Sequence, residues 1–166
     1  MKKSILSVFI LFIFLILIGC DSKKGTFLKT VESQNNHQTT LSRLIELIQD
    51  QNLTYFETID HQANAKKVGM NLKPESVVVF GNPRMGTVLM NCNPSMGLDL
   101  PLRILVTTNY EGITSLIYTN PEYWSLKHNI KEKQCLEILG KAKIALEDLT
   151  EKAAKKQKEP NASQPQ

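Results

Sequence analysis

The amino terminus carries an apolar run that limits how much of the chain can form a folded domain. From Ile5 to Ile18 every residue is apolar except Ser7, and Lys2 and Lys3 precede the run. A helix of that length spans about 21 Å at about 1.5 Å per residue, whereas the hydrocarbon core of a bilayer is about 30 Å thick. The run is therefore predicted to be the hydrophobic region of a signal peptide rather than a membrane span.

The end of this run carries a further signal. It closes on Leu17-Ile18-Gly19-Cys20, which resembles the lipobox of bacterial lipoproteins, in which a diacylglyceryl group alkylates the cysteine thiol and the cysteine becomes the first mature residue. The resemblance implies a signal peptide over 1–19, lipid attachment at Cys20, and a membrane-anchored domain that faces the periplasm or the cell exterior. Asp21 resembles the residue that retains lipoproteins in the inner membrane of diderm bacteria.

The remainder of the chain is long enough for one domain. Removing residues 1–19 from the 166 leaves 147, which favours a single folded unit. We expect a polar tether over 20–25, one domain over 26–155, and a solvated tail over 156–166. The formal charge falls from +4 to +2 when the two lysines of the signal are removed, and no basic block is interleaved with aromatic residues. Nucleic acid is therefore not an expected partner.

Hydrophobic periodicity predicts an α+β fold. Leu136, Leu139, Ala142, Leu146 and Leu149 recur at three- and four-residue spacing, which indicates a long amphipathic helix. Runs of β-branched and aromatic residues indicate strands. The predicted strands cover 26–32, 53–60, 77–80, 102–108 and 113–119, and the predicted helices cover 41–51, 63–68 and 136–153. Because consecutive strands precede the closing helix, we expect a two-layer domain with a mostly antiparallel sheet and helices packed on one face.

The segment 81–101 lacks a sustained period and is expected to be a long loop. It holds three Gly and three Pro, residues that interrupt helices and strands. Loops of this length in compact domains are usually functional or carry short helical turns. We therefore expect a small ligand pocket between this loop and the strand that ends at Asp60.

Three stretches in the middle of the chain carry the motifs of a known family. They are 60–69 (DHQANAKKVG), 79–90 (VFGNPRMGTVLM) and 98–106 (LDLPLRILV), and the pattern Tyr118…Asn120-Pro121 also fits. Together they resemble the DUF302 family over roughly residues 26–150. The resemblance implies a compact β-α-β4-α domain, similar in topology to TATA-box-binding-protein folds, without implying DNA binding. The family has no assigned activity, and fold alone does not determine function.

The resemblance also points to candidate site residues. It places His61 near the turn that begins at Gly81, which would gather Asp60, His61, Asn82 and Arg84 at one edge as a ligand-binding group. A carboxylate can orient an imidazole for acid–base chemistry or for metal binding. An enzyme that uses His61 with Asp60 is therefore one alternative. In the other interpretation, His61 and Asn82 only hydrogen-bond loop backbone and hold the turns shut.

Soft-metal binding is a further alternative. Four sulfur-bearing side chains fall within twelve residues of the predicted loop: Met85, Met90, Cys92 and Met96. Met70 and His61 are further candidate ligands. Thioether and thiolate ligands select Cu(I). Methionine also fills irregular gaps in cores, and no spacing here repeats as in a dedicated metal motif. Core packing is therefore the favoured interpretation.

The cysteines Cys92 and Cys135 leave two states open. A disulfide between them would close a loop of 43 residues and would contribute about 4 kcal/mol in the chain-entropy model. Geometry decides whether such a bridge forms. We expect two buried thiols.

No catalytic motif stands out in the chain. It contains no Gly-rich phosphate loop, no serine nucleophile elbow and no paired Cys/His zinc spacing. The sequence therefore predicts no cofactor, no metal and no assigned catalytic residue. The leading hypothesis is a membrane-anchored cell-envelope lipoprotein whose domain binds a small ligand or an envelope protein, with an enzyme and a protein-interaction module as alternatives.

Overall fold

The computed structural model describes residues 27–156, so the predicted signal peptide, Cys20 and the tether lie outside the described part of the chain. The elements are β1 (Leu28–Glu32), α1 (His37–Asp50), β2 (Thr54–Asp60), α2 (His61–Lys67), β3 (Glu75–Gly81), α3 (Pro83–Cys92), a 3-10 helix (Pro94–Leu98), β4 (Leu102–Thr108), β5 (Thr114–Thr119), a second 3-10 helix (Pro121–Tyr123), α4 (Trp124–Lys127) and α5 (Lys133–Ala154). The strand order is β1-β5-β4-β3-β2, and every neighbouring pair is antiparallel. The predicted α+β class is confirmed.

Alternating side chains give the sheet one apolar face. In β4, Leu102, Ile104 and Val106 are buried, whereas Arg103 between them is exposed. Leu116 of the neighbouring β5 is buried in the same core cluster. Successive side chains of a strand point to opposite faces, so this pattern directs one face of the sheet into the core.

The helices α1 and α5 cover that face. Leu44 and Ile48 of α1 and Leu146 and Leu149 of α5 are buried in the core cluster that includes the strand residues. Their three- and four-residue spacing places each pair on one stripe of its helix. Each such side chain contributes about 1.5–3 kcal/mol relative to an exposed one. Burial of these stripes therefore holds the two layers together.

The first helix begins four residues earlier than its hydrophobic pattern predicts. The structure starts α1 at His37, because the side chain of Asn36 accepts a hydrogen bond from the Thr39 backbone N–H at 2.9 Å. An asparagine in this position satisfies one of the free N–H groups of the first turn. The first turn is polar, so periodicity alone does not reveal it.

The structure corrects the predicted loop at 81–101, most of which is helical. The helix α3 begins directly after β3, where Asn82 Oδ1 accepts the Met85 N–H at 3.2 Å and Pro83 occupies the first turn. An Asn N-cap followed by Pro is a helix start signal. Pro83 would indicate a break in a helix only if the Asn82 cap before it were overlooked.

A second Asn-Pro pair starts the 3-10 helix of the same segment. Asn93 Oδ1 accepts the Ser95 N–H at 2.9 Å, and Pro94 follows the cap. Two of the three glycines and two of the three prolines of the segment thus lie within these short helices, whereas Gly81 ends β3 and Pro101 precedes β4.

The structure also corrects the expected state of the cysteines. Cys92 at the end of α3 and Cys135 in the first turns of α5 form a disulfide, with their Cα atoms 6.8 Å apart. Cys135 is fully buried. Because α3 and α5 are brought side by side only by the tertiary fold, their sequence spacing gave no indication of the approach. The bridge ties the helix that follows β3 to the helix that closes the domain.

We expect removal of this bridge to lower the free energy of unfolding by about 4 kcal/mol, since it constrains a 43-residue loop in the unfolded chain. The test is urea unfolding of the wild-type chain and of the Cys92→Ala/Cys135→Ala double variant. Adding reductant should lower the unfolding midpoint of the wild type and leave that of the double variant unchanged. A wild-type midpoint that does not respond to reductant would contradict the prediction.

Candidate functional site

A cavity of about 600 Å³ opens between α3, α5 and one end of the sheet. From α3 it is lined by Met85, Leu89 and Met90, and from α5 by Ile138 and Ala142. The α1–β2 turn and the start of β4 complete its wall. Most of the wall is apolar. Ligand sites of proteins are commonly concave and apolar in this way, with volumes of about 300–1,000 Å³.

Several polar side chains in the wall are already used by the protein itself. Gln51 Nε2 donates to Asp148 Oδ2 at 2.9 Å, and Thr87 Oγ1 donates to the Pro83 carbonyl at 2.9 Å. The Oδ1 atom of Asn82 serves as the N-cap of α3. These groups stabilise the wall locally.

Lys141 and Asn52 differ from those groups. Both line the cavity, and within residues 27–156 neither side chain has a hydrogen-bond or ion-pair partner. Lys141 is the single charged residue of the described wall, which holds no Asp and no Glu. A small number of polar groups in an apolar cavity typically fixes the orientation of a ligand.

The structure separates the four residues expected to form one group. In the β2–β3 ladder, Asp60 pairs with Ser76, whereas Thr54 pairs with Gly81. His61 follows Asp60 at one end of the ladder, and Asn82 follows Gly81 at the other. At about 3.3 Å per residue, the two ends lie about 20 Å apart. The expected gathering of Asp60 and His61 with Asn82 and Arg84 is therefore wrong, because β2 and β3 run antiparallel.

Each member of that group has its own local setting. Asp60 caps α2, and its Oδ1 accepts the Ala63 N–H at 2.8 Å. In the described part of the chain His61 is half-buried, and no hydrogen bond joins its ring to the Asp60 carboxylate. Arg84 is exposed on α3. Of the four, Asn82 alone lines the cavity.

The sulfur-bearing side chains expected as metal ligands also lie in different parts of the structure. Met85 and Met90 line the cavity, whereas Met96 is fully buried in the core. Cys92 is bonded to Cys135 and offers no thiolate. Between residues 27 and 156 no group of three or more His, Cys, Asp or Glu side chains is arranged to hold a metal ion. The expected core role of methionine thus holds for Met96. The other two line the cavity, which borders the segment 81–101 as the predicted pocket does but lies at the end of β2 opposite Asp60.

Sequence reasoning missed a hydrogen-bonded network beside the 3-10 helix. His128 is almost completely buried; its Nδ1 lies 2.7 Å from Ser95 Oγ and its Nε2 lies 2.5 Å from Asp99 Oδ2. The Asn93 side chain also donates to the His128 carbonyl at 2.9 Å. Ser95 and Asp99 fall in the predicted loop and His128 in a segment without periodicity, so no spacing joins them in the sequence.

The network resembles a hydrolase triad in residue types but differs from one in geometry. In serine hydrolases the imidazole contacts the serine through Nε2 and the aspartate through Nδ1, and here the two nitrogens are exchanged. Asp99 is also paired with Lys127, at 2.9 Å. None of the three residues lines the cavity. The arrangement ties the 3-10 helix to the end of α4 and so fixes one side of the cavity wall.

The charge state of Asp99 is set by the same contacts. Burial raises the pKa of its carboxyl, but hydrogen bonds from Lys127 and His128 and the attraction of their charges outweigh burial, so the pKa lies below its ordinary value. Asp99 is therefore ionised at neutral pH and accepts both hydrogen bonds as a carboxylate.

The fold and the family agree. The sequence pattern of the family described as "Domain of unknown function DUF302" matches residues 29–153. The chain belongs to the DUF302 family. A crystal structure of an uncharacterized conserved DUF302 protein from Bacillus stearothermophilus aligns with this domain at a TM-score of 0.69 and 18% identity, covering 78% of this chain and 99% of that chain. At that identity the DUF302 neighbour confirms the fold alone.

Curated relatives are similar to this DUF302 chain over part of their length. "Fluoride-specific ion channel FluC 1" of Brucella suis biovar 1 (strain 1330) is 35% identical over 103 residues, which are 62% of this chain and 41% of that protein. The protein of the same name from Brucella abortus biovar 1 (strain 9-941) has the same identity and is covered to 38%. The chain thus spans about two fifths of these relatives. Among residues 27–156, no helix has the length and apolarity needed to cross a membrane.

We expect Asp99→Asn to lower the free energy of unfolding by about 2 kcal/mol at pH 7, because a buried imidazole loses its charged partner. The pKa of Asp99 is lowered in the folded state, so its contribution is complete above the unfolded pKa of about 4 and is lost as pH falls through the folded pKa. Urea unfolding at pH 7, 5 and 3 should therefore show a wider gap between wild type and variant at pH 7 than at pH 3. A gap that does not change with pH would contradict this assignment.

Proposed function

We propose that this protein is a membrane-anchored cell-envelope lipoprotein whose DUF302 domain binds an apolar small molecule in the cavity between α3 and α5. The observation that carries the proposal is the cavity itself, about 600 Å³ with a mainly apolar wall. Contact between water and such an apolar surface is unfavourable. Binding of an apolar ligand that displaces this water is therefore favoured in proportion to the apolar area that it buries.

Exposed apolar side chains at the cavity support binding. Phe56, Met85 and Met90 line it and remain 47%, 39% and 37% exposed. Neighbouring apolar groups that stay exposed on a folded domain are typical of ligand or partner sites. Methionine adapts its shape to an irregular ligand, so this wall suits a flexible apolar molecule.

The same wall favours binding over catalysis. Lys141 is the single titratable side chain among the lining residues of the described domain, and acid–base catalysis usually employs two groups with separated pKa values. The alternative enzyme based on Asp60 and His61 is not favoured, because Asp60 is engaged as a helix cap.

The proposed anchor rests on the amino-terminal sequence. The apolar run, its basic flank and the closing Leu-Ile-Gly-Cys support lipid attachment at Cys20, and Asp21 supports retention in the inner membrane. Fluoride conduction is in the names of relatives of which this chain covers about two fifths. The function proposed here concerns the DUF302 domain alone.

Photolabelling of the full chain in phosphatidylcholine nanodiscs tests the cavity. A neutral probe, 1-dodecanol carrying a diazirine, should label peptides of α3 and α5. Ala145→Phe fills the cavity and should lower labelling at least tenfold, since Ala145 is one of its lining residues. The matched control is Ile144→Phe, which places the same ring on the exposed side of α5. Absence of labelling in the wild type, or equal labelling in Ala145→Phe, would overturn the proposed binding site.

Lipid attachment has a separate test in a diderm host. An alkyne-bearing palmitate fed to cells should label the wild-type chain, and Cys20→Ser should lose the label. Fractionation should place the wild type in the inner membrane and Asp21→Ser in the outer membrane. Equal labelling of Cys20→Ser would refute the anchor, and wild-type protein in the outer membrane would refute the sorting role of Asp21.

A further inference from the structure

We infer that the ligand of the cavity is a single-chain amphiphile with one carboxylate, whose apolar chain fills the cavity and whose head group pairs with Lys141. This inference rests on the binding function proposed above and names the class of ligand. Three observations carry it: the charge of the wall, the unused polar groups in it, and the apolar side chains that make up most of the rest.

The described wall of the cavity carries charge of one sign only, which is positive. Lys141 is its single charged residue, and no Asp or Glu of the described domain lines the cavity. Some other lysines of the domain are neutralised: Lys127 pairs with Asp99, and Lys143 pairs with Glu122. Lys141 has no such partner, and no bond joins it to Glu137, one turn before it on α5. The ammonium group is therefore available to an anion.

The unused polar groups are suited to a carboxylate. An ammonium group donates to one carboxylate oxygen, and the Asn52 amide of the same wall, which also has no partner in the described structure, can donate to another polar atom of the head group. Charge-assisted hydrogen bonds of this kind are about twice as strong as neutral ones.

One lysine against an apolar wall selects the charge of the head group. A cation would be repelled, and a doubly charged phosphate would bring a second charge that Lys141, the single charged residue of the described wall, does not compensate. A neutral alcohol of equal length would fill the cavity but would forfeit the ion pair. The monoanion is therefore the best match, and the rest of the molecule must be apolar to bury Met85, Met90 and Ile138.

The experiment compares two probes that differ only in the head group. Diazirine-bearing dodecanoate and diazirine-bearing 1-dodecanol are titrated onto the full chain in phosphatidylcholine nanodiscs, and the concentration giving half-maximal labelling of α3 and α5 peptides is measured. For the wild type we expect the dodecanoate value to be at least fivefold lower. Lys141→Met should abolish that difference by raising the dodecanoate value to that of dodecanol, and Lys141→Arg should retain the difference.

The control variant is Lys133→Met, because Lys133 is an exposed lysine of the same helix that does not line the cavity. It should behave as the wild type. Raising the salt concentration should reduce the preference for dodecanoate, since exposed charges are screened.

The outcomes separate this inference from the function on which it rests. If neither probe labels the cavity, the proposed binding function fails. If both probes label it with equal half-saturation, or the preference for dodecanoate survives in Lys141→Met, the carboxylate assignment is overturned while apolar binding stands. If both probes lose labelling when phosphatidylglycerol replaces phosphatidylcholine, a membrane phospholipid is the occupant. That result would also overturn the carboxylate assignment.

Discussion

Burial of one sheet face beneath α1 and α5 is the interaction on which the other features depend. The apolar stripes of the two helices, such as Leu44 with Ile48 and Leu146 with Leu149, lie in one core cluster with the central strands. Sheets and helices that are apolar on one side reach stability by covering each other. With α5 fixed on the sheet in this way, the shorter elements between β3 and β4 acquire a surface against which to pack.

The cavity follows from how α3 is attached to that surface. Its carboxyl end is bonded to α5 through Cys92 and Cys135, and its amino end is capped beside the sheet by Asn82. Between these two attachments α5 presents the small side chains of Ala142 and Ala145. Helices held at both ends but separated by small residues leave space between them, and that space remains unfilled by the domain's own side chains.

The predictability of each feature depended on how local its cause is. The strand at 102–108 was predicted correctly, because its apolar and β-branched residues follow one another within a few positions. The fold class followed from element order and family resemblance. The bridge and the His128 network were missed, because each joins segments far apart in the chain. A pocket was predicted beside the segment 81–101, but the cavity found there is completed by α5 and lies at the end of β2 opposite Asp60. The expected cluster of Asp60, His61, Asn82 and Arg84 was wrong for a different reason. These residues were expected to lie close together, but the antiparallel register of β2 and β3 places them at opposite ends of the ladder.

The disulfide also closes a covalent ring that includes two of the five strands of the sheet. The loop between Cys92 and Cys135 contains β4, β5 and the hairpin tip, where Tyr110 is 87% exposed. A chain cut by a protease at that tip consequently stays in one piece as long as the bridge is oxidised, because both fragments remain joined through the sulfur atoms. This exposed turn can thus be severed without releasing either fragment of the molecule.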